Sequence, residues 1–220
     1  MASIDYRQAH DAPHHVDDSP PLLIACGWIG LLGTAALGIS NVVGSIVVPG
    51  HDWIADTISD LGAGRYEIIQ DLGLYGYAAA LLACAIGAAN RHIGGARWSW
   101  AILGLALLAL MVTLVGVRNE YGDGDSDGIV MHRYFVYGLG VLFAAVPMLM
   151  ARGMGARGKG WAVLAWTCGV LWAVAAPVFF FLPTGIDGIY ERGLGVITMV
   201  FVGGLSLLLL REGREMRQGG

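Results

Sequence analysis

Long apolar runs alternate with short polar segments along this chain, and the lengths of the runs predict the fold. Six of them approach the roughly 20 residues that a helix needs to cross a bilayer. Trp98, Trp100 and Trp161 lie at the ends of runs, as interfacial aromatic anchors do. We therefore predict an all-α polytopic membrane protein, a bundle of six transmembrane helices over residues 22–48, 68–89, 98–117, 131–151, 161–182 and 189–210.

Composition supports the membrane class. Of the 220 residues, 56% are hydrophobic and 14% are charged, and mean hydropathy is +0.63. The 34 glycines would weaken helices in water, whereas in lipid small residues let helices approach closely. No basic patch of the kind that binds nucleic acid is present, so we expect no nucleic-acid partner.

Basic residues divide unevenly between the two sides of the predicted bundle. Residues 1–20 read as a disordered tail, 21–211 as the membrane domain and 212–220 as a C-terminal tail. The positive-inside rule places both tails in the cytoplasm and predicts a multi-pass protein of a bacterial inner membrane. The basic residues expected inside are Arg7, Arg91, Arg97, Arg152, Arg157, Lys159, Arg211, Arg214 and Arg217, and those outside are Arg65, Arg118, Arg133 and Arg192.

The first outer connection, 51–71, is rich in acids. Asp52, Asp56 and Asp60 recur every four residues, which would place them on one face of a short amphipathic helix. Asp52 is a candidate N-cap, and Gly62 and Gly64 would end the helix. Because acids at a membrane entrance are costly, this segment is a candidate functional site.

Basic groups at the outer ends of the predicted spans adjoin acids or imidazoles. Arg118 precedes Glu120, Arg133 follows His132, and Arg192 follows Glu191. One interpretation is that these are ion pairs that anchor helix ends. The other is a pocket in which Arg118, Arg133 and Arg192 hold an anionic headgroup, since a guanidinium suits phosphate and carboxylate.

Asp71 lies about one turn inside the second span, and Tyr75 follows one turn deeper on the same face. A carboxyl in apolar surroundings tends to stay protonated, which suits a general acid. The alternative is a structural partner of Arg118 or Arg192. Both roles stay open on sequence grounds.

Metal-binding patterns are weak. His51 and His132 could bind a divalent cation together with the loop acids, but their spacing matches no helical metal motif. Residues 123–128 match the first half of a calcium loop, yet the expected twelfth-position glutamate is Tyr134. We expect a flexible acidic loop there, and neither a metal site nor a cofactor.

The segment 54–64, IADTISDLGAG, followed by Tyr66-Glu67 and by QDLG at 70–73, resembles the domain-of-unknown-function 998 family of small bacterial and archaeal membrane proteins. His132-Arg133 and Glu191-Arg192-Gly193 resemble later motifs of that family, so the resemblance covers about 22–210. It implies a compact six-helix bundle and no assigned reaction. The residues that it marks are Asp56, Ser59, Asp60, Asp71, His132, Glu191 and Arg192.

Together these features favour an outer-leaflet polar pocket that binds a lipid or an isoprenoid-like amphiphile. If the protein is an enzyme, Asp71 or Asp60 would act as acid and His132 as base, with Glu191 beside them. Headgroup hydrolysis or transfer and protonation-driven cyclisation of a polyprenyl chain both fit. The alternative is a non-catalytic lipid-binding or partner-binding protein with structural ion pairs. Ion transport ranks last, because no acid lies near a span centre.

Overall fold

The structure, a computed structural model, describes residues 18–93, 95–117 and 131–219, with the side chain of Met131 left out. Six of the helices are long and apolar enough to cross a membrane, which confirms the all-α, six-span prediction. The elements are α1 (Pro20–Val47), α2 (Ile58–Leu61), a 3₁₀ helix (Gly64–Tyr66), α3 (Glu67–Asn90), α4 (Gly95–Val117), α5 (Met131–Gly155), α6 (Lys159–Phe179) and α7 (Asp187–Gly219).

The six long helices form a closed ring. Each packs against the next in the order α1, α3, α4, α5, α6 and α7, and α7 packs against α1. α3 also touches α7 across the ring, where Cys84 Sγ lies 3.3 Å from Ser206 Oγ. These cross-ring contacts divide the interior, and the space on the other side of α3 and α7 faces α4, α5 and α6.

Glycines permit the close contact between α1 and α3. A Cβ on Gly33 would overlap the carbonyl oxygen of Gly76, and one on Gly73 would overlap Ser40. Without a hydrophobic driving force between helices in lipid, such close packing is a main source of helix association. The small residues therefore fix the α1–α3 pair, which carries the outer loop between its two ends.

Large side chains fill the inner half of the ring, the half nearest to the start of α1 and the end of α7. Trp98, Met150, Met154 and Leu209 are almost completely buried. Trp98 Nε1 donates a hydrogen bond of 2.8 Å to the carbonyl oxygen of Ala88, so this bulky ring is fixed in place. In the outer half, the described helices enclose a cavity.

The predicted helix in the outer loop is much shorter than expected. Only Ile58–Leu61 is helical, and its N-cap is Thr57 rather than Asp52. Asp52 Oδ1 instead accepts hydrogen bonds from the backbone N–H groups of Ile54 (2.8 Å) and Ala55 (3.3 Å). An aspartate that bonds the backbone this way favours a turn over a helix, so the three aspartates do not share one helix face.

α7 continues to Gly219, so residues 212–219, predicted as a C-terminal tail, are helical. Glu212 is buried, accepts a hydrogen bond of 2.6 Å from Arg91 Nε, and forms a salt bridge of 3.0 Å with Arg157 Nε. Arg91 also pairs with Asp18. This cluster fastens the ends of α1, α3 and α5 to α7. The predicted tail at residues 1–17 lies outside the described residues.

Candidate functional site

A cavity of about 190 Å³ occupies the outer half of the ring, and all six long helices and α2 contribute to its lining. Its deeper walls are apolar, with Leu74, Val112, Leu139 and Leu194 among them. At its outer end, polar side chains come from the first turns of α3, α5 and α7 and from α2. We call them the polar ring: Ser59, Gln70, Asp71, His132 and Glu191.

Three aromatic side chains close the deep end of the cavity. Tyr77 and Phe143 stack with centroids 6.5 Å apart, and Phe143 meets Trp172 at 5.2 Å in a tilted contact. Trp172 Nε1 donates a 2.8 Å hydrogen bond to the carbonyl oxygen of Gly140, which holds α6 to α5. This aromatic floor (Tyr77, Phe143, Trp172) presents flat, rigid apolar surface toward the polar ring.

Glu191 positions α2 at the mouth of the cavity. One carboxylate oxygen accepts from the backbone N–H of Ile58 at 2.5 Å, and the other lies 3.5 Å from Ser59 Oγ. Ile58 is the first residue of α2, where backbone N–H groups have no partner within the helix. Glu191 thus acts on α2 as an added N-terminal acceptor, whatever else it contacts inside the cavity.

Asp60, a predicted acid, serves the same short helix. Its Oδ2 accepts from Thr57 N at 2.6 Å and from Thr57 Oγ1 at 2.8 Å, and its own N–H donates to Thr57 Oγ1 at 3.2 Å. This is a capping box, in which a side chain at each end satisfies the other's backbone. Asp60 does not line the cavity, and the T-x-x-D spacing carries a capping signal that explains its place.

Asp71 lines the cavity, and no cation of the described segments lies within ion-pair distance of its carboxyl group. The alternative of an Asp71–Arg192 pair is therefore not realised. Tyr75, predicted to share its face, is 38% exposed and lies outside the lining. Asp71 is thus a carboxyl group of the cavity wall rather than half of a salt bridge with α7.

Arg192 is buried in a different cluster, which we call the outer clasp (Arg192, Ser45, His51, Trp53, Asp56). Its Nη1 donates to the carbonyl oxygen of Asp56 at 2.7 Å, and its Nη2 contacts Ser45 Oγ at 3.2 Å and His51 Nε2 at 2.8 Å. Trp53 covers the guanidinium 4.5 Å from its ring centroid. Arg192, which was predicted to bind an anionic headgroup, therefore binds the outer loop of its own chain instead.

The imidazole of His51 links the outer clasp to an acid. Because Arg192 donates to Nε2, the ring proton lies on Nδ1, 3.5 Å from Asp56 Oδ2. Burial of the side chain, 2% exposed, and the positive charge of Arg192 lower the pKa of His51, and the acids Asp56, Asp60 and Asp52 only partly offset this. His51 is neutral in the folded protein at neutral pH.

The backbone of the loop also docks on α7. Ile189 N donates to the carbonyl oxygen of Ile54 at 2.9 Å, and a Cβ on Gly188 would overlap the carbonyl of Asp56. Asp56 Oδ2 accepts from Asp52 N at 2.7 Å. Hydrogen bonds from Ile54 and Ala55 lower the pKa of Asp52. The acidic loop is thus built by local hydrogen bonds and a tight contact with α7.

The structure brings together four of the predicted site residues, Ser59, Asp71, His132 and Glu191, in one cavity lining. Asp56 and Arg192 belong to the outer clasp, and Arg133 is exposed. Arg118 and the acidic segment 123–128 lie outside the described residues. Within the described ranges, no group of three His, Cys, Asp or Glu side chains is placed to hold a metal ion.

Sequence reasoning missed Gln70, Tyr77 and Thr198, which also line the cavity. Gln70 and Tyr77 are separated by seven residues, or two helical turns, so they share a face of α3. That spacing is a signal that can be read from the sequence, although the charged neighbour Asp71 is the more conspicuous residue.

One protein family, described as "Protein of unknown function (DUF998)", has a model that matches residues 24–208. The chain belongs to the DUF998 family. The match confirms the resemblance drawn from the sequence motifs. It includes every described residue of the cavity lining, from Leu37 to Thr198, so the cavity lies within the DUF998 domain. Searches of curated proteins and of solved structures gave no match.

Proposed function

We propose that this DUF998 domain binds a membrane amphiphile, a lipid or an isoprenoid-like molecule, with its polar group at the polar ring and its chain against the aromatic floor. The observation that carries the proposal is the two-part lining of a single cavity, polar at the membrane surface and apolar below. Small-molecule sites combine apolar walls with a few placed polar groups in this way.

The size of the cavity limits what part of a ligand enters it. An apolar cavity of about 150 Å³ in another protein takes up benzene. A space of about 190 Å³ holds a fragment somewhat larger than benzene, such as one or two isoprene units or a short acyl segment. The remainder of a longer ligand would extend into the bilayer or across the outer surface.

Acid–base chemistry on the bound amphiphile is the second candidate, because Asp71, His132 and Glu191 line one cavity. Proton donation by Asp71 with His132 as base would support headgroup hydrolysis or transfer, or cyclisation of a polyprenyl chain. The non-catalytic alternative needs the same cavity and no turnover. In both cases the ligand is a membrane amphiphile.

The proposed setting is a bacterial inner membrane with both termini in the cytoplasm. The support is the bias of basic residues together with an even number of candidate spans among the described residues. A reporter enzyme active only in the periplasm, fused after residue 220, should be inactive, and a cytoplasmic fluorescent reporter at the same place should fold. An active periplasmic reporter together with a non-fluorescent cytoplasmic reporter would show that the C-terminus lies on the opposite side of the membrane.

Asp71→Asn tests the proposed function. The variant should melt at or above the temperature of the wild type, because an isosteric amide replaces a half-buried carboxyl that has no described cation partner. Its bound lipids, identified by mass spectrometry after purification, should change in identity or amount. Glu67→Gln, one turn earlier and exposed, is the matched control and should leave the lipids unchanged. A much lower melting temperature with unchanged lipids would make Asp71 a structural residue.

A further inference from the structure

One neutral polar group in the cavity lacks a hydrogen-bond partner within the described part of the chain. Gln70 is 1% exposed, its Nε2 has no partner there, and its side chain lines the cavity. A buried donor or acceptor left unsatisfied costs about 1–3 kcal/mol, so native proteins nearly always supply a partner.

Ser40, which contacts the Gln70 amide, limits the kinds of chemical group that could complete the hydrogen bonding of Gln70. Ser40 Oγ lies 2.9 Å from the carbonyl oxygen of Leu37 and 3.3 Å from Gln70 Oε1, and its single proton can serve only one of them. If the proton goes to Gln70 Oε1, the amide Nε2 seeks an acceptor in the cavity. If it goes to Leu37, the amide can turn so that Nε2 donates to Ser40, and Oε1 then seeks a donor.

A hydroxyl group satisfies Gln70 in either orientation, because it both donates and accepts. A phosphate or carboxylate oxygen accepts only, and an ammonium donates only. The charges of the lining agree with this choice. The described lining contains no Arg or Lys that would neutralise an anionic headgroup.

The arginine that sequence reasoning assigned to an anionic headgroup is committed elsewhere. Both Nη atoms of Arg192 bind groups of the outer clasp or the carbonyl of Gly188. Moving it into the cavity would break the contacts that hold the loop to α7. Among the described residues, no arginine of the cavity lining is therefore available to bind a phosphate group.

We infer that the ligand of this cavity is an uncharged alcohol-type amphiphile, whose hydroxyl binds the side-chain amide of Gln70 while its hydrocarbon chain lies against the aromatic floor. This inference rests on the proposed function and names its ligand class. The chemistry is that of a prenyl or fatty alcohol rather than of a phospholipid or an isoprenoid phosphate.

The test is a head-group series on one tail. The full chain in lipid nanodiscs is titrated with four molecules that share a fifteen-carbon prenyl chain and end in a methyl group, a hydroxyl, a primary amine or a monophosphate. The alcohol should bind at least fivefold more tightly than each of the other three. Gln70→Leu should weaken alcohol binding about fivefold to tenfold, which corresponds to one neutral hydrogen bond, and leave hydrocarbon binding unchanged.

Asn41→Leu is the matched control. Asn41 also has a buried oxygen without a partner, but it lies on α1 outside the cavity lining, so its loss should not affect binding. Tighter binding of the phosphate or the amine than of the alcohol would overturn the inference while keeping an amphiphile site. Alcohol affinity unchanged in Gln70→Leu would also overturn it. Binding by none of the four would overturn the proposed function as well. The head-group order is measured on the wild type, so it does not depend on how well Gln70→Leu folds.

Discussion

Replacing Arg192 by methionine should destabilise the protein by removing the centre of the outer clasp. Three hydrogen bonds from the guanidinium leave α7, to Asp56 O, Ser45 Oγ and His51 Nε2. Each bond from a charged donor contributes about 1.5–3 kcal/mol. The three share one side chain and are not additive, and the loop keeps other contacts with α7. We therefore expect a loss of about 3–4 kcal/mol in the free energy of unfolding.

The assay is unfolding by SDS in mixed micelles, followed by circular dichroism, together with limited proteolysis of the loop at residues 48–57. Arg192→Met should unfold at lower SDS and should be cleaved faster in the loop. Arg133→Met is the matched control, since Arg133 is an exposed arginine at the outer end of α5. It should change stability by no more than about 0.5 kcal/mol. A loss below about 1 kcal/mol for Arg192→Met, or equal losses in both variants, would refute the role of the clasp.

Three further results are expected. His51 takes up a proton in the unfolded chain below its ordinary pKa of 6.5, whereas its lowered pKa in the folded protein opposes protonation. The free energy of unfolding should therefore fall as the pH drops below about 6.5, by at most about 1.4 kcal/mol per pH unit. His51→Gln should remove this dependence when SDS unfolding is compared at pH 7.5 and 5.5. Gly33→Ala should cost roughly 1–3 kcal/mol in the same assay, because the new methyl meets backbone, whereas Gly193→Ala has open space and should not destabilise. Glu212→Gln should cost about 1–3 kcal/mol by removing the buried carboxylate charge that pairs with Arg91 and Arg157, whereas Glu215→Gln in an exposed pair should leave the SDS midpoint unchanged.

The fold could be predicted from the sequence because lipid imposes a strong length and polarity constraint on each span. Span boundaries agree within a few residues, except where α7 continues to Gly219. That extension was missed because Arg91 and Arg157 lie far from Glu212 in the sequence, and nothing local shows that they neutralise it.

The site could be predicted only in part. Asp71, His132 and Glu191, which share the cavity lining, could be singled out because acids and imidazoles at span ends are costly and therefore conspicuous. Arg192 was given the wrong surroundings, since a sequence does not show that Asp56 O, Ser45 and His51 converge on it. Gln70 is neutral and was overlooked, although its burial makes it the more informative neighbour of Asp71.

Filling the outer cavity with a larger side chain tests whether an amphiphile occupies it. Ala176 on α6 lines the cavity, and Ala173 on the same helix is exposed on the outside of the bundle. Wild type, Ala176→Phe and Ala173→Phe are purified alike, and bound amphiphiles are counted by native mass spectrometry.

If an amphiphile occupies the cavity, the wild type and Ala173→Phe should each hold one tightly bound amphiphile, and a folded Ala176→Phe should lose it. Retention of the same amphiphile at the same ratio in Ala176→Phe, or no specific amphiphile in the wild type, would show that the cavity is not the binding site.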